Sequence, residues 1–71
     1  MNVTLARKRR GWLELTQAEV GRRVGVSRHV IGTWESGLRE PSASELVAWA
    51  KALELEPIEL LTEPESEGVA S

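Results

Sequence analysis

Apolar residues recur along this chain at intervals of three and four positions, which is the period of amphipathic helices. No alternation of apolar and polar residues is sustained over the length of a strand, and hairpin dipeptides of the Asn-Gly kind are missing. The first predicted helix covers about residues 3–13, although Gly11 in its interior weakens the prediction. Its inward face holds Val3, Ala6, Arg10 and Leu13.

A second helix is predicted to begin at residues 16–19, Thr-Gln-Ala-Glu, because this stretch has the pattern of a capping box. Gly25 suits the left-handed position that ends such a helix. Ser27 is a favourable N-cap for a third helix that runs to about Ser36 and stops at Gly37. The inward-facing residues of this pair are Val20, Val24, Val26, Ile31 and Trp34.

Two more helices are predicted in the second half of the chain. Residues 42–45, Ser-Ala-Ser-Glu, form another capping box after Pro41, and Pro57 suits the first turn of a fifth helix. Their apolar residues are Leu46, Trp49, Ala50, Leu53, Ile58, Leu60 and Leu61. Beyond residue 62 the composition cannot bury apolar area, so we expect one all-α domain over 1–62 and a disordered acidic tail over 63–71.

The connection between the second and third helices is the most informative feature of the pattern. Residues 25–27 leave a turn of three residues, so the two helices must cross steeply to bury their apolar stripes together. Gly21 supplies the small residue where the two backbones meet. The third helix then turns outward a polar side that suits base edges in the major groove of DNA. This side consists of Arg28, His29, Gly32, Thr33 and Ser36.

The distribution of charge changes the impression given by the net charge of −2. Residues 1–40 contain eight of the nine Lys and Arg residues but only four of the eleven acids, and carry a net charge of +4. Residues 41–71 carry −6. This asymmetry favours a cationic face for a polyanion over a random scatter of solvated charges. Residues 7–9, Arg-Lys-Arg, are interpreted as mobile cations that add non-specific affinity, or else as ordinary solvated residues.

Composition argues against several other classes of protein. At 71 residues the chain has room for one core, and without cysteine it has neither disulfides nor thiolate metal sites. His29 is the only histidine, so we expect no metal and no cofactor, and the body is too small for the catalytic pocket of an enzyme. Neither a membrane-spanning run nor a secretory leader is evident, and a cytoplasmic protein is expected.

The sequence resembles the phage-repressor and Cro-like helix-turn-helix regulators over residues 15–61. Residues 15–20, Leu-Thr-Gln-Ala-Glu-Val, resemble the entry to the second helix of that family, and residues 25–28, Gly-Val-Ser-Arg, resemble its turn. Residues 31–37, Ile-Gly-Thr-Trp-Glu-Ser-Gly, followed by Pro41, resemble its most diagnostic segment. The resemblance implies a five-helix lambda-repressor-like domain with its helix-turn-helix at helices 2 and 3. It also implies a small DNA-binding repressor or autoregulator.

The resemblance implies roles for individual residues as well. Arg28, His29 and Thr33 occupy the base-reading positions of the family, and Arg28 would recognise guanine. A surface residue without contact is the alternative for Arg28 and for His29, and a residue that merely favours the helix is the alternative for Gln17. Gln17 would contact phosphate and support the recognition helix. Arg10 would pair with Glu35 while approaching phosphate, and the other residues near the backbone or groove wall are Ser27, Ser36 and Arg39.

Three positions leave alternatives open. Glu14 and Glu54 stand where the family often has Gly to end the first and fourth helices. Either they accept a left-handed conformation, which costs about 1 kcal/mol, or these helices end differently. Gly32 within the recognition helix either permits close approach to DNA or is simply tolerated.

The expected partners are double-stranded operator DNA and a second copy of the chain. Contact between the copies is predicted through helices 4 and 5 at Ile58, Leu60 and Leu61. The alternative function is a protein-interaction module, antitoxin-like or adaptor, in which the acidic second half docks a basic partner. The salt dependence of binding separates the two functions.

Overall fold

The computed structural model describes residues 1–63, and within them five α-helices are joined by short turns. These are α1 (Val3–Trp12), α2 (Gln17–Val24), α3 (Arg28–Ser36), α4 (Ala43–Ala52) and α5 (Pro57–Leu61). No strand occurs in this part of the chain, and none of its helices is long and apolar enough to cross a membrane. The five-helix, all-α prediction is confirmed. The predicted tail lies outside the described residues from position 64 onward.

Local sequence determines where α2 and α4 begin. The hydroxyl of Thr16 accepts from the Glu19 amide at 3.0 Å, and the Glu19 carboxylate accepts from the Thr16 amide at 2.7 Å. The hydrogen bond from the Thr16 backbone is the main cause that lowers the pKa of Glu19 from its ordinary value of 4.5. Ser42 and Glu45 exchange the same two hydrogen bonds, at 3.2 and 2.8 Å. Both predicted capping boxes are confirmed.

Left-handed residues end or follow four of the helices. Gly25 after α2 has a φ of 96° and Gly37 after α3 has a φ of 81°, as the sequence predicts. Glu14 and Glu54 have φ values of 59° and 60°, so the first of the two alternatives for these residues is correct. A Cβ in this conformation crowds the following carbonyl group. Both helix ends are therefore strained.

The helix-turn-helix is held by a close approach of backbone to backbone. A Cβ added to Gly21 would lie 2.6 Å from the carbonyl oxygen of Val26, so only glycine fits this crossing of α2 and α3. Below the crossing, the rings of Trp34 and Trp49 pack with their centroids 5.1 Å apart and join α3 to α4. The largest fully buried side chains are Trp34, Trp49, Ile31, Leu53, Leu60 and Val20.

The C-terminal end of α4 is tied to the rest of the domain by arginines. Arg9 donates to the carbonyl oxygens of Leu53 and Glu54, both at 3.1 Å, and its guanidinium lies 4.7 Å from the centre of the Trp12 ring. Arg23 donates to the carbonyl oxygen of Ala52 at 3.4 Å. The interpretation of Arg9 as a mobile cation is therefore wrong, because its side chain satisfies carbonyl groups that the helix end leaves without partners.

α5 contributes to the core through one of its three large apolar side chains. Leu60 is completely buried, and its carbonyl oxygen accepts from the amide of Asn2 at 2.8 Å. Ile58 and Leu61 are 64% and 55% exposed. The prediction that Leu60 forms a contact between two copies is wrong, because its side chain is used inside one copy.

Candidate nucleic-acid interface

The outward side of α3 is open to solvent while its inward side is anchored in the core. Ile31 and Trp34 are buried, whereas Arg28 and His29 are exposed. An open groove of about 410 Å³ runs along the outward side. It is lined by Gln17, Arg28, His29, Gly32, Thr33, Ser36 and Leu38. All five residues predicted for the polar side of the helix therefore share one surface.

The hydroxyl groups on this helix are partly committed to its own backbone. Thr33 donates to the carbonyl oxygen of Val30 at 2.6 Å, and Ser36 donates to the carbonyl oxygen of Thr33 at 3.2 Å. Ser27 accepts from the Val30 amide at 3.2 Å as the N-cap. Since the protons of Thr33 and Ser36 are used in this way, these hydroxyls face the groove as acceptors. Arg28 and His29 are exposed side-chain donors on this side of α3.

A buried carboxylate organises the neighbouring part of the surface. Glu35 is 5% exposed and accepts from Arg10 through Nε at 2.7 Å and Nη2 at 3.1 Å. Arg10 also donates to the carbonyl oxygen of Leu15 at 3.1 Å. The side-chain amide of Gln17 donates to the same carboxylate at 3.1 Å. Because Gln17 is the first residue of α2, this hydrogen bond joins the N-terminus of α2 to α3. The predicted pairing of Arg10 with Glu35 and the support of α3 by Gln17 are both present.

A second depression extends the surface towards α1. Its lining includes Arg7, Arg10, Gln17, Gly32 and Ser36. Sequence reasoning did not single out Arg7 from its basic neighbours. The usable signal is the three-residue spacing from Arg10, which places both side chains on one flank of α1.

Leu38 and Arg39 follow α3 on a turn that is closed by backbone hydrogen bonds. The amides of Leu38 and Arg39 both donate to the carbonyl oxygen of Thr33, at 3.0 and 3.2 Å. Arg39 is exposed after the C-terminal end of α3, and the contact with the DNA backbone predicted for it stays a prediction. Leu38 was missed, although an apolar residue directly after the helix-ending Gly37 is a visible signal.

Residues 5–60 match a family model described as helix-turn-helix. The match covers more than half of the chain, on the segment that carries the crossing of α2 and α3. The chain belongs to this helix-turn-helix family.

A relative within the helix-turn-helix proteins is the repressor protein C2 of Salmonella phage P22. It is 44% identical over 55 residues, which are 78% of this chain and 26% of the relative. The chain thus spans about a quarter of the length of this relative. The predicted resemblance to phage repressors is confirmed, since this relative is a phage repressor.

Two solved structures of the P22 c2 repressor share the fold. A crystal structure in complex with the synthetic operator 9T has a TM-score of 0.78 and 40% identity, over 82% of this chain and 88% of the other. A solution structure of the DNA-binding domain has a TM-score of 0.79 and 41% identity, over 83% and 78% of the two chains. These matches assign the lambda-repressor-like arrangement of helices to this helix-turn-helix chain.

No candidate metal site is present in the described part of this helix-turn-helix domain. Residues 1–63 contain no group of three or more His, Asp or Glu side chains placed to hold an ion.

Proposed function

We propose that this chain binds double-stranded DNA in a sequence-specific manner, as a small transcriptional repressor with α3 in the major groove. The observation that carries the proposal is the exposed polar side of α3, which is rigidly attached through Ile31 and Trp34 to the rest of the domain. A helix of this kind fits the major groove, where base edges present distinct donors and acceptors. The P22 c2 repressor, which shares the fold, was solved in complex with an operator.

Base recognition is assigned to Arg28, His29 and Thr33. Arg28 lies in the first turn of α3, which is the part of a recognition helix that enters the groove, and its planar guanidinium matches the two acceptors of guanine. His29 stands beside it as a second exposed donor. Thr33 presents its methyl group and an acceptor, because its proton is bonded to Val30.

Positioning on the phosphate backbone is assigned to residues on both sides of this helix. Gln17 is the first residue of α2, where unpaired amide groups attract an anion. Arg10 is held by Glu35 with part of its guanidinium still accessible, since its side chain is 24% exposed. The remaining positioning residues are Ser27, Ser36, Arg39 and, from the second depression, Arg7.

A homodimer through α4 and α5 completes the proposal. Ile58 and Leu61 on α5 and Val47 on α4 are apolar and at least half exposed. Pairing these residues would remove apolar area from water. A symmetric dimer of helix-turn-helix domains binds two half-sites about 34 Å apart, one turn of DNA. Because a regulator of this kind must reach its operator DNA, the proposal includes a cytoplasmic location.

The proposal is tested by selecting bound duplexes from a random pool of oligonucleotides with the whole chain. We expect a palindromic sequence to be enriched, because a symmetric dimer reads the same bases twice. The affinity for that duplex should fall linearly with the logarithm of salt concentration. A pool that stays unenriched, together with capture of a basic protein, would support the protein-interaction module in its place.

A further inference from the structure

The packing of the domain does not explain why glycine occupies position 32, in the middle of α3. A Cβ added there would meet only the amide of Gln17, at 3.7 and 3.8 Å, which is ordinary contact. At Gly21, in contrast, an added Cβ would lie 2.6 Å from a carbonyl oxygen. Glycine is a poorer helix former than alanine. The fold therefore requires glycine at position 21 and merely accepts it at position 32.

The apolar side chain of Leu38 is exposed to solvent, and backbone hydrogen bonds hold the turn on which it lies. Gly37 takes the left-handed conformation, the Gly37 amide donates to the carbonyl of Trp34 at 3.2 Å, and the Leu38 amide donates to Thr33 at 3.0 Å. In this helix-ending motif the residue at position 38 commonly packs back on the helix. Here its side chain is 82% exposed. The backbone is fixed, and the side chain has no partner that removes it from solvent.

Gly32 and Leu38 line the same groove, together with the proposed base-reading residues. Gly32 brings no side chain to this groove, and Leu38 brings an exposed apolar one. Phosphate and most base edges are polar, and only thymine presents an apolar group in the major groove, its 5-methyl. We propose that Gly32 and Leu38 form a specificity-determining subsite for the methyl group of one thymine in each half-site. This inference rests on the proposed DNA-binding function.

The direct test replaces each thymine of the selected duplex, one at a time, by deoxyuridine, which lacks only the methyl group. We expect one position in each half-site to weaken binding by about fourfold, the value of one buried methyl group. In Leu38→Ala the penalty at that position should disappear. Trp12→Ala, which truncates an exposed apolar side chain on α1 outside both the groove and the proposed dimer contact, should keep it.

Gly32→Ala supplies an independent measurement with two readouts of opposite sign. The melting temperature should rise by roughly 4–8 °C, because alanine stabilises the helix and has room beside Gln17. Affinity for the selected duplex should fall by at least about fivefold, because the added methyl occupies the space of the thymine methyl. A rise in melting temperature with unchanged affinity would overturn the subsite.

The outcomes separate this inference from the proposed function. If the chain enriches an operator that tolerates deoxyuridine at every position, the subsite is absent while DNA binding stands. If the methyl penalty is the same in Leu38→Ala as in the unmodified chain, another residue reads the methyl group and the inference is overturned. If no duplex is enriched at all, the proposed function is wrong, and the subsite that depends on it is wrong as well.

Discussion

Arg10 and Glu35 form a two-point ion pair between α1 and α3, with Nε to Oε2 at 2.7 Å and Nη2 to Oε1 at 3.1 Å. The carboxylate is 5% exposed and also receives the amide of Gln17. One buried carboxylate on α3 thus joins this helix to α1 and to the first residue of α2. The stability of the fold and the geometry of the proposed interface depend on the same three side chains.

Arg10→Met removes the positive charge and leaves an apolar stem beside the carboxylate. We expect the free energy of unfolding in urea to fall by about 3 kcal/mol, because the buried charge of Glu35 loses its main partner. The double variant Arg10→Met/Glu35→Leu should recover most of this loss, since an apolar pair often replaces a buried ion pair without penalty. Equal destabilisation of the single and double variants would show that the unpaired charge of Glu35 is not the cause of the loss.

Glu14 and Glu54 are positions where the domain can be stabilised. Replacement of either residue by glycine removes a Cβ from the left-handed conformation and should raise the free energy of unfolding by about 1 kcal/mol. Both side chains are exposed, so the loss of contacts is small. Glu14→Ala and Glu54→Ala keep the strained Cβ and serve as controls. If alanine stabilises as much as glycine, strain is not the cause.

Arg7 and Arg9 are close in sequence but have different expected roles. Arg7→Ala should reduce the slope of log affinity against log salt by about one, because one phosphate contact is lost. Arg9→Ala should leave the slope unchanged and lower the free energy of unfolding by about 1 kcal/mol, because two carbonyl oxygens at the end of α4 lose their donor. An Arg9→Ala variant with a reduced slope and full stability would reverse the assignment.

The predictions from sequence succeeded where neighbours along the chain decide the structure. The capping box at Thr16 and the glycine stop at Gly25 involve residues within a few positions of each other, so their patterns are visible without a fold. The outward side of α3 followed from helical period alone. The burial of Leu60 and the use of Arg9 depend on the docking of α1 and α5 against α4, which local pattern does not encode. The same holds for Arg7, whose place beside α3 needs the packed domain.

The proposed dimer contact is tested by separating exposed from buried residues of α5. Ile58→Ser and Leu61→Ser should shift the chain from dimer to monomer in sedimentation experiments, with the free energy of unfolding of the monomer changed by less than about 0.5 kcal/mol. Leu60→Ala should instead destabilise the domain by about 2–5 kcal/mol, because a filled core position becomes a cavity. Unchanged association of the Ile58→Ser/Leu61→Ser double variant would exclude this contact.

The central claim is that the outward side of α3 reads DNA, and Arg28 tests it most directly. Arg28→Ala should weaken binding to the selected duplex by about 1–3 kcal/mol and relax the base preference at one position of each half-site. Arg22→Ala removes the same charge from the last turn of α2, outside the residues that line the groove, and should keep the preference intact. Titration of labelled duplexes with the two variants measures both quantities. Arg28→Ala binding with the affinity and base preference of the unmodified chain would contradict the account.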